Sequence, residues 1–153
     1  MPELSGDKRH IRITRIENAL RRAELDAVLV TLPANVRMLS GLDSIASPAI
    51  AVASSKGEIA ILVPEGELAL AEHSRADRIR GYKGPEELGS GLRSLLHDME
   101  LHCSRIGYES KASGGLFDSL EIIGLLRIAV PSAPLAPADD VLRDLRRVLR
   151  QPL

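Results

Sequence analysis

Three short apolar runs constrain this chain more than any other feature: Ala27-Val28-Leu29-Val30, Ala49-Ile50-Ala51-Val52-Ala53 and Ile59-Ala60-Ile61-Leu62-Val63. Each is shorter than an ordinary helix and apolar at nearly every position, the pattern of a strand covered on both faces. Segments of helical period lie between and around them. From about Lys8 to Glu24, with Asp7 as N-cap, Ile13, Ile16, Leu20 and Ala23 recur on one face. Pro85 to Met99 places Leu88, Leu92, Leu95 and Leu96 on one face. Ala138 to Arg150 carries Asp139 and Asp140 at its start and arginines at its end, as the helix dipole favours. The alternation predicts an α/β domain, a three-layer α/β/α sandwich with Ala27–Val30 central. The turn Ser54-Ser55-Lys56-Gly57 joins the second and third runs as a hairpin, which makes the sheet mixed. Weaker signals predict a helix over Glu65–His73, strands over Ile79–Lys83 and Arg105–Glu109, and a helix from Leu116 to about Leu125. Arg127–Val130 reads as the last strand, followed by a stiff connector with Pro131, Pro134 and Pro137.

Composition excludes several function classes. The 153 residues fit one domain. Net charge is −1, from 20 Lys+Arg against 21 Asp+Glu, without the positive excess of a phosphate-backbone binder. The only aromatic residues besides histidine are Tyr82, Tyr108 and Phe117, too few for a base-stacking surface, so no nucleic-acid partner is expected. The single cysteine, Cys103, excludes an internal disulfide and a four-cysteine zinc site. The apolar runs are far shorter than the ~20 residues that span a bilayer, and no apolar leader follows the first ten residues. A cytoplasmic protein without a membrane partner is the expectation.

Local chemistry shows no catalytic site. His97 and His102 are five apart, which does not place them on one helical face as a zinc pair. Cys103 has only His102 beside it and reads as a small packed residue. Gly89-Ser90-Gly91 lacks the third glycine of a dinucleotide fingerprint and falls inside a helical pattern. Arg143, Arg146, Arg147 and Arg150 form one basic helix stripe with Asp144 interspersed, a solvated face or a docking face. No catalytic, cofactor-binding or metal-ligating residue is assigned to this chain, and no cofactor is expected in it.

The specific segment is Pro33-Ala34-Asn35-Val36-Arg37-Met38-Leu39-Ser40-Gly41, directly after a buried strand. Asn35 can cap a helical turn over Val36–Leu39, and Gly41 can end it in the left-handed conformation. Arg37 has a five-donor fork suited to loop carbonyls or a carboxylate. A capped turn at a strand end is also where α/β sheets carry functional loops.

With these residues in view, the chain resembles the N-terminal domain of the creatinase/prolidase/aminopeptidase P family. The matching features are a first helix running from Arg15 to Leu25-Asp26-Ala27, then Thr31-Leu32-Pro33 and Asn35-Val36-Arg37-Met38-Leu39-Ser40-Gly41. The hairpin with Lys56-Gly57 and Val63-Pro64, the strand Ile106-Gly107-Tyr108-Glu109 and the closing helix Leu142–Val148 follow in the family's order. Met38 stands where the family usually has tyrosine, and Leu149 where it has lysine. The resemblance implies a ribonuclease-H-like fold over residues 1–137, with 138–153 a helix that would lead into a catalytic domain. It implies two divalent ions (manganese, cobalt or zinc) for an intact parent, held by ligands in a following domain to which no residue here corresponds. The implied role is non-catalytic: homodimer formation and shaping of substrate access beside the catalytic domain of the same or a neighbouring subunit. The parent's substrate would be an Xaa-Pro peptide, creatine or another small amide. Asn35, Arg37 and Gly41 would form the structural turn, with Met38, Leu42, Asp43 and Ser44 as the edge facing substrate or partner. The alternatives are a stand-alone regulatory or small-ligand-binding module, or an enzyme of unrecognised chemistry.

Overall fold

The computed structural model describes residues 6–43, 48–110 and 119–152. Strand β1 (Ala27–Val30) is buried throughout and lies inside a six-stranded sheet. The others are β2 (Ile50–Ser54), β3 (Ile59–Pro64), β4 (Arg78–Tyr82), β5 (Ile106–Tyr108) and β6 (Leu135–Pro137). Their order is β4-β3-β2-β1-β5-β6. The β2–β3 hairpin turns one strand against the rest: β2 is antiparallel to β1 and β3, whereas the pairs β3–β4, β1–β5 and β5–β6 are parallel.

The apolar runs lack polar alternation because both faces of the sheet are covered. Val28, Val30, Ala51, Ala53, Ile61 and Val63 pack on α1 (Gly6–Arg22), α2 (Pro33–Ser40), α3 (Leu68–Ala71) and α6 (Asp139–Leu149). Leu29, Ile50, Val52, Ala60 and Leu62 point the other way, onto α4 (Leu88–Asp98) and α5 (Ser119–Ala129). This is the expected three-layer sandwich with a mixed sheet. The helix expected over Glu65–His73 is a 3-10 turn, Glu65–Glu67, followed by the short α3.

Two expectations fail at the end of the chain. Arg127–Val130 is not a strand: α5 continues to Ala129. Its inward residues Ile122, Leu126 and Ala129 keep helical spacing and are buried against the α4 side of the core. The β-branched Ile128 and Val130 favour a strand by propensity, but packing overrides it. The last strand is instead β6, inside the proline-rich connector. It is an edge strand, where a proline's missing N–H costs no ladder bond. Its neighbour Gly107 admits a close approach: a Cβ there would stand 2.7 Å from the Ala138 Cβ and from a Leu25 methyl.

α6 is tied down on α1. Val141, Leu142 and Leu145 are buried, and Arg15 of α1 donates to the carbonyls of Val148 (3.0 Å), Gln151 (3.0 Å) and Pro152 (3.1 Å). One guanidinium thus satisfies carbonyls that a helix C-terminus leaves without intrahelical partners. Among the described residues, no helix is long and apolar enough to cross a membrane.

Candidate functional site

β1 and β5 lie side by side and run parallel. The chain leaves β1 toward β2 on one side and leaves β5 toward β6 on the other. The carboxyl ends of such a strand pair flank the crevice where open α/β sheets bind ligands. Here the crevice is closed by the protein's own groups. Glu109, one residue past β5 and 1% exposed, turns its carboxylate toward the end of β1. It accepts from the Thr31 N–H (2.7 Å), the Thr31 hydroxyl (3.0 Å), the Leu32 N–H (3.2 Å) and the Asn35 Nδ2 (2.6 Å). Asn35 in turn accepts on Oδ1 from Arg146 of α6 at 2.9 Å. The amide orientation is fixed by its neighbours, since a carboxylate needs a donor and a guanidinium an acceptor.

This corrects the expected role of Asn35. Helix α2 begins earlier, with Leu32 at its N-cap and Pro33 at its start, and no side chain caps it. Proline fits there because the first helical N–H has no intrahelical partner to lose. Asn35 therefore lies within the first turn, buried, and joins Glu109 to Arg146.

The other end of α2 is held more heavily than the sequence suggests. Gly41 takes the left-handed conformation, φ 76°, and its N–H bonds the Arg37 carbonyl. The Ser40 hydroxyl donates to the Val36 carbonyl (2.6 Å) and accepts from the Leu42 N–H (3.1 Å). Arg12, reaching from α1, donates to the carbonyls of Met38 (2.5 Å) and Leu39 (3.1 Å). The Arg75 N–H reaches the Ser40 carbonyl at 2.7 Å. Burial, then repulsion from Arg75, lowers the Arg12 pKa to about 10, which leaves it charged near neutrality. Cations at a helix C-terminus are favoured by the dipole.

Arg37, expected to pin the loop, does not. It is exposed, and its closest carboxylate is Asp43 at 3.9 Å, itself exposed. Such a surface pair contributes ~0–1 kcal/mol, against ~1.5–3 kcal/mol for a hydrogen bond to a charged group. Arg12 therefore holds the turn. Sequence reading missed it because the contact spans 26 residues, and only its place on α1 could have hinted at it.

The expected edge residues separate. Leu42 is 2% exposed and packs in the core, so its side chain is not part of an outer edge. Met38 is half-buried against the same cluster. Asp43 is exposed, and Ser44 lies outside the described residues. The far end of the loop is anchored where the Tyr82 hydroxyl donates to the Pro48 carbonyl. Burial, then the charge of Glu67, raises the Tyr82 pKa, which keeps that donor protonated.

The remaining candidates scatter. His97 and His102 share no helical face, yet the chain turns back after α4 and stacks their rings, 4.8 Å apart and 8° from parallel. Cys103 is exposed, contrary to the packed residue expected, because it sits in the turn before β5 rather than under the sheet. Gly91 faces Leu62 and Gly89 faces Ile128, so the glycine pair serves helix packing. In the arginine stripe, Arg143 and Arg147 pair with Asp140 (3.7 Å) and Asp144 (2.6 Å) on their own helix, while Arg146 reaches Asn35. Among the described residues no group of three or more His, Cys, Asp or Glu side chains is arranged to hold a metal ion. No step through a metal is assigned to this chain.

Known proteins share this architecture. The aminopeptidase P, Xaa-Pro aminopeptidase, of Streptococcus thermophilus superposes with a TM-score of 0.68 at 21% identity, over 91% of this chain and 98% of that one. The N-terminal domain of cytoplasmic peptidase PepQ from Mycobacterium tuberculosis gives 0.68 at 18% identity, over 88% and 98%. The prolidase of Pyrococcus horikoshii gives 0.63 at 23% identity, over 88% of this chain but 34% of that one. The chain thus spans about a third of the length of that prolidase. The curated proteins yield no match. The family described as the Creatinase/Prolidase N-terminal domain matches residues 12–148, and the chain belongs to it.

Proposed function

We propose that this chain is the non-catalytic N-terminal domain of a metal-dependent hydrolase related to the Xaa-Pro peptidases. The observation that carries this reading is coverage: the chain matches 98% of a solved N-terminal domain of a peptidase but 34% of a whole prolidase. In this reading the domain supports self-association and shapes access to the catalytic domain of its own or a neighbouring subunit, in the cytoplasm. Its working edge is the end of α2 and the loop after it. The backbone there is held by Arg12, Ser40 and Gly41, and Asp43 stands outward. Two divalent ions and the peptide chemistry belong to the rest of the parent.

The test is hydrolysis of Xaa-Pro dipeptides and tripeptides by this chain with manganese, cobalt or zinc added. No turnover is expected. Metal-dependent turnover that follows the protein through purification would overturn the reading.

A further inference from the structure

A hollow between β4 and α4 collects donors that the fold leaves without acceptors. Arg80 of β4 and Arg93, Ser94, His97 and Asp98 of α4 line it, and its volume is about 420 Å³. It lies across the sheet from α2, at the edge that β4 forms. Side chains alternate along the strand: Ile79 packs on the α2 side, whereas Tyr82, two residues past Arg80, is buried on the α4 side.

Elsewhere in this chain arginines find acceptors. Arg9 meets Asp77 (2.6 Å), Arg22 meets Asp144 (3.0 Å), and Arg12 and Arg15 hold backbone carbonyls. Arg80 and Arg93 differ. Among the described residues neither guanidinium meets an acceptor, and nor does the Ser94 hydroxyl. Ser90, one turn earlier on the same helix, instead donates to the Glu87 carbonyl at 3.2 Å. The stack of His97 on His102 engages the ring faces and leaves the edge of His97, with its nitrogens, uncommitted. An imidazole keeps at least one N–H donor whatever its charge. Asp98 is the one acid of the lining, and it also serves Arg78. The hydrogen bond and charge of Glu58, then the charge of Asp98, raise the Arg78 pKa. The hollow thus carries two arginine charges against one shared carboxylate.

We infer that this hollow binds a phosphoryl group, as inorganic phosphate or as a small phosphate monoester. A guanidinium fork matches two oxygens of such a group. Two forks from different elements therefore suit an anion with three or more oxygens better than a carboxylate with two. The volume, about 420 Å³, falls in the range of small-molecule sites, ~300–1,000 Å³, which leaves room for the organic part of an ester. The lining side chains are exposed apart from the half-buried Ser94. Exposed charge contacts are weak, so the expected dissociation constant is on the order of 1 mM. The inference is independent of the peptidase reading above.

The test is a titration of the full chain followed by amide NMR at fixed pH and ionic strength, with inorganic phosphate and, separately, with glycerol phosphate. Saturable shifts centred on Arg80, Arg93, Ser94 and His97 are expected. Arg80→Gln and Arg93→Gln together should weaken binding roughly tenfold or more. Both side chains are exposed, so this variant keeps the fold. Asp98→Asn should tighten binding roughly threefold, because it removes the negative charge of the lining. Arg150→Gln, at an exposed arginine on the other layer, should leave binding unchanged. Tighter binding of glycerol phosphate identifies an ester as the ligand, and equal binding identifies phosphate itself. Shifts that grow without saturation, that acetate reproduces at equal ionic strength, or that the double variant leaves in place overturn the inference.

Discussion

α2 and α5 sit on opposite faces of the sheet and are held by different forces. α2 is fixed by polar ties at both ends: Glu109 and Asn35 at its start, Arg12, Ser40 and Arg75 at its finish. α5 is fixed by apolar burial of one side, and its other side presents Leu120, Gly124 and Ile128 to solvent. Directional bonds specify position, so the end of α2 is set in place as far as Leu42. Apolar burial is non-directional, and on α5 it leaves Leu120 largely in solvent. One layer of the sandwich is tied by directional bonds, and the other by apolar packing.

The contrast breaks most sharply under two truncations. Glu109→Ala leaves the Thr31 and Leu32 amides and the Asn35 amide without their acceptor, and should cost about 3 kcal/mol or more. Leu126→Ala should cost a similar ~2–5 kcal/mol through a cavity. Chemical denaturation measures both, but only Glu109→Ala should loosen α2 ahead of global unfolding. A smaller pair of changes has opposite signs. Gly41→Ala forces a side chain into the left-handed region and should destabilise by ~1–2 kcal/mol. Gly124→Ala replaces an exposed mid-helix glycine and should stabilise by ~1 kcal/mol, read by thermal melts at a concentration where the chain is monomeric. The smallest effect should come from Arg37→Ala, whose exposed contact with Asp43 predicts a loss within ~0.5 kcal/mol. In an intact parent, Asp43→Ala should alter substrate affinity while leaving domain stability unchanged.

The sheet was legible because every residue of Val28–Val30 and Ile59–Val63 is apolar, and a strand buried on both faces leaves that mark. Gly41 was legible because a glycine after a short helical run has one economical conformation there. The C-terminal strand was not legible. Prolines hide β6 from propensity, and an edge position tolerates them. The polar ties around α2 were illegible for a different reason. Arg12 to Met38 and Glu109 to Asn35 are long-range contacts, set by which strands become neighbours rather than by local pattern. The one available signal for Glu109 was its place: a carboxylate one residue past an apolar strand, paired in register with the strand that ends before Thr31.

Amide hydrogen exchange of the native chain beside Glu109→Gln tests the locked end of α2 most directly. In the wild type the Thr31 and Leu32 N–H groups, bonded to the buried carboxylate, should exchange only through global unfolding. In Glu109→Gln their protection should fall at least tenfold beyond the global change, while the amides of α5 follow global stability alone. Fast exchange at Thr31 and Leu32 in the wild type, or protection there that the substitution leaves untouched, would contradict the account.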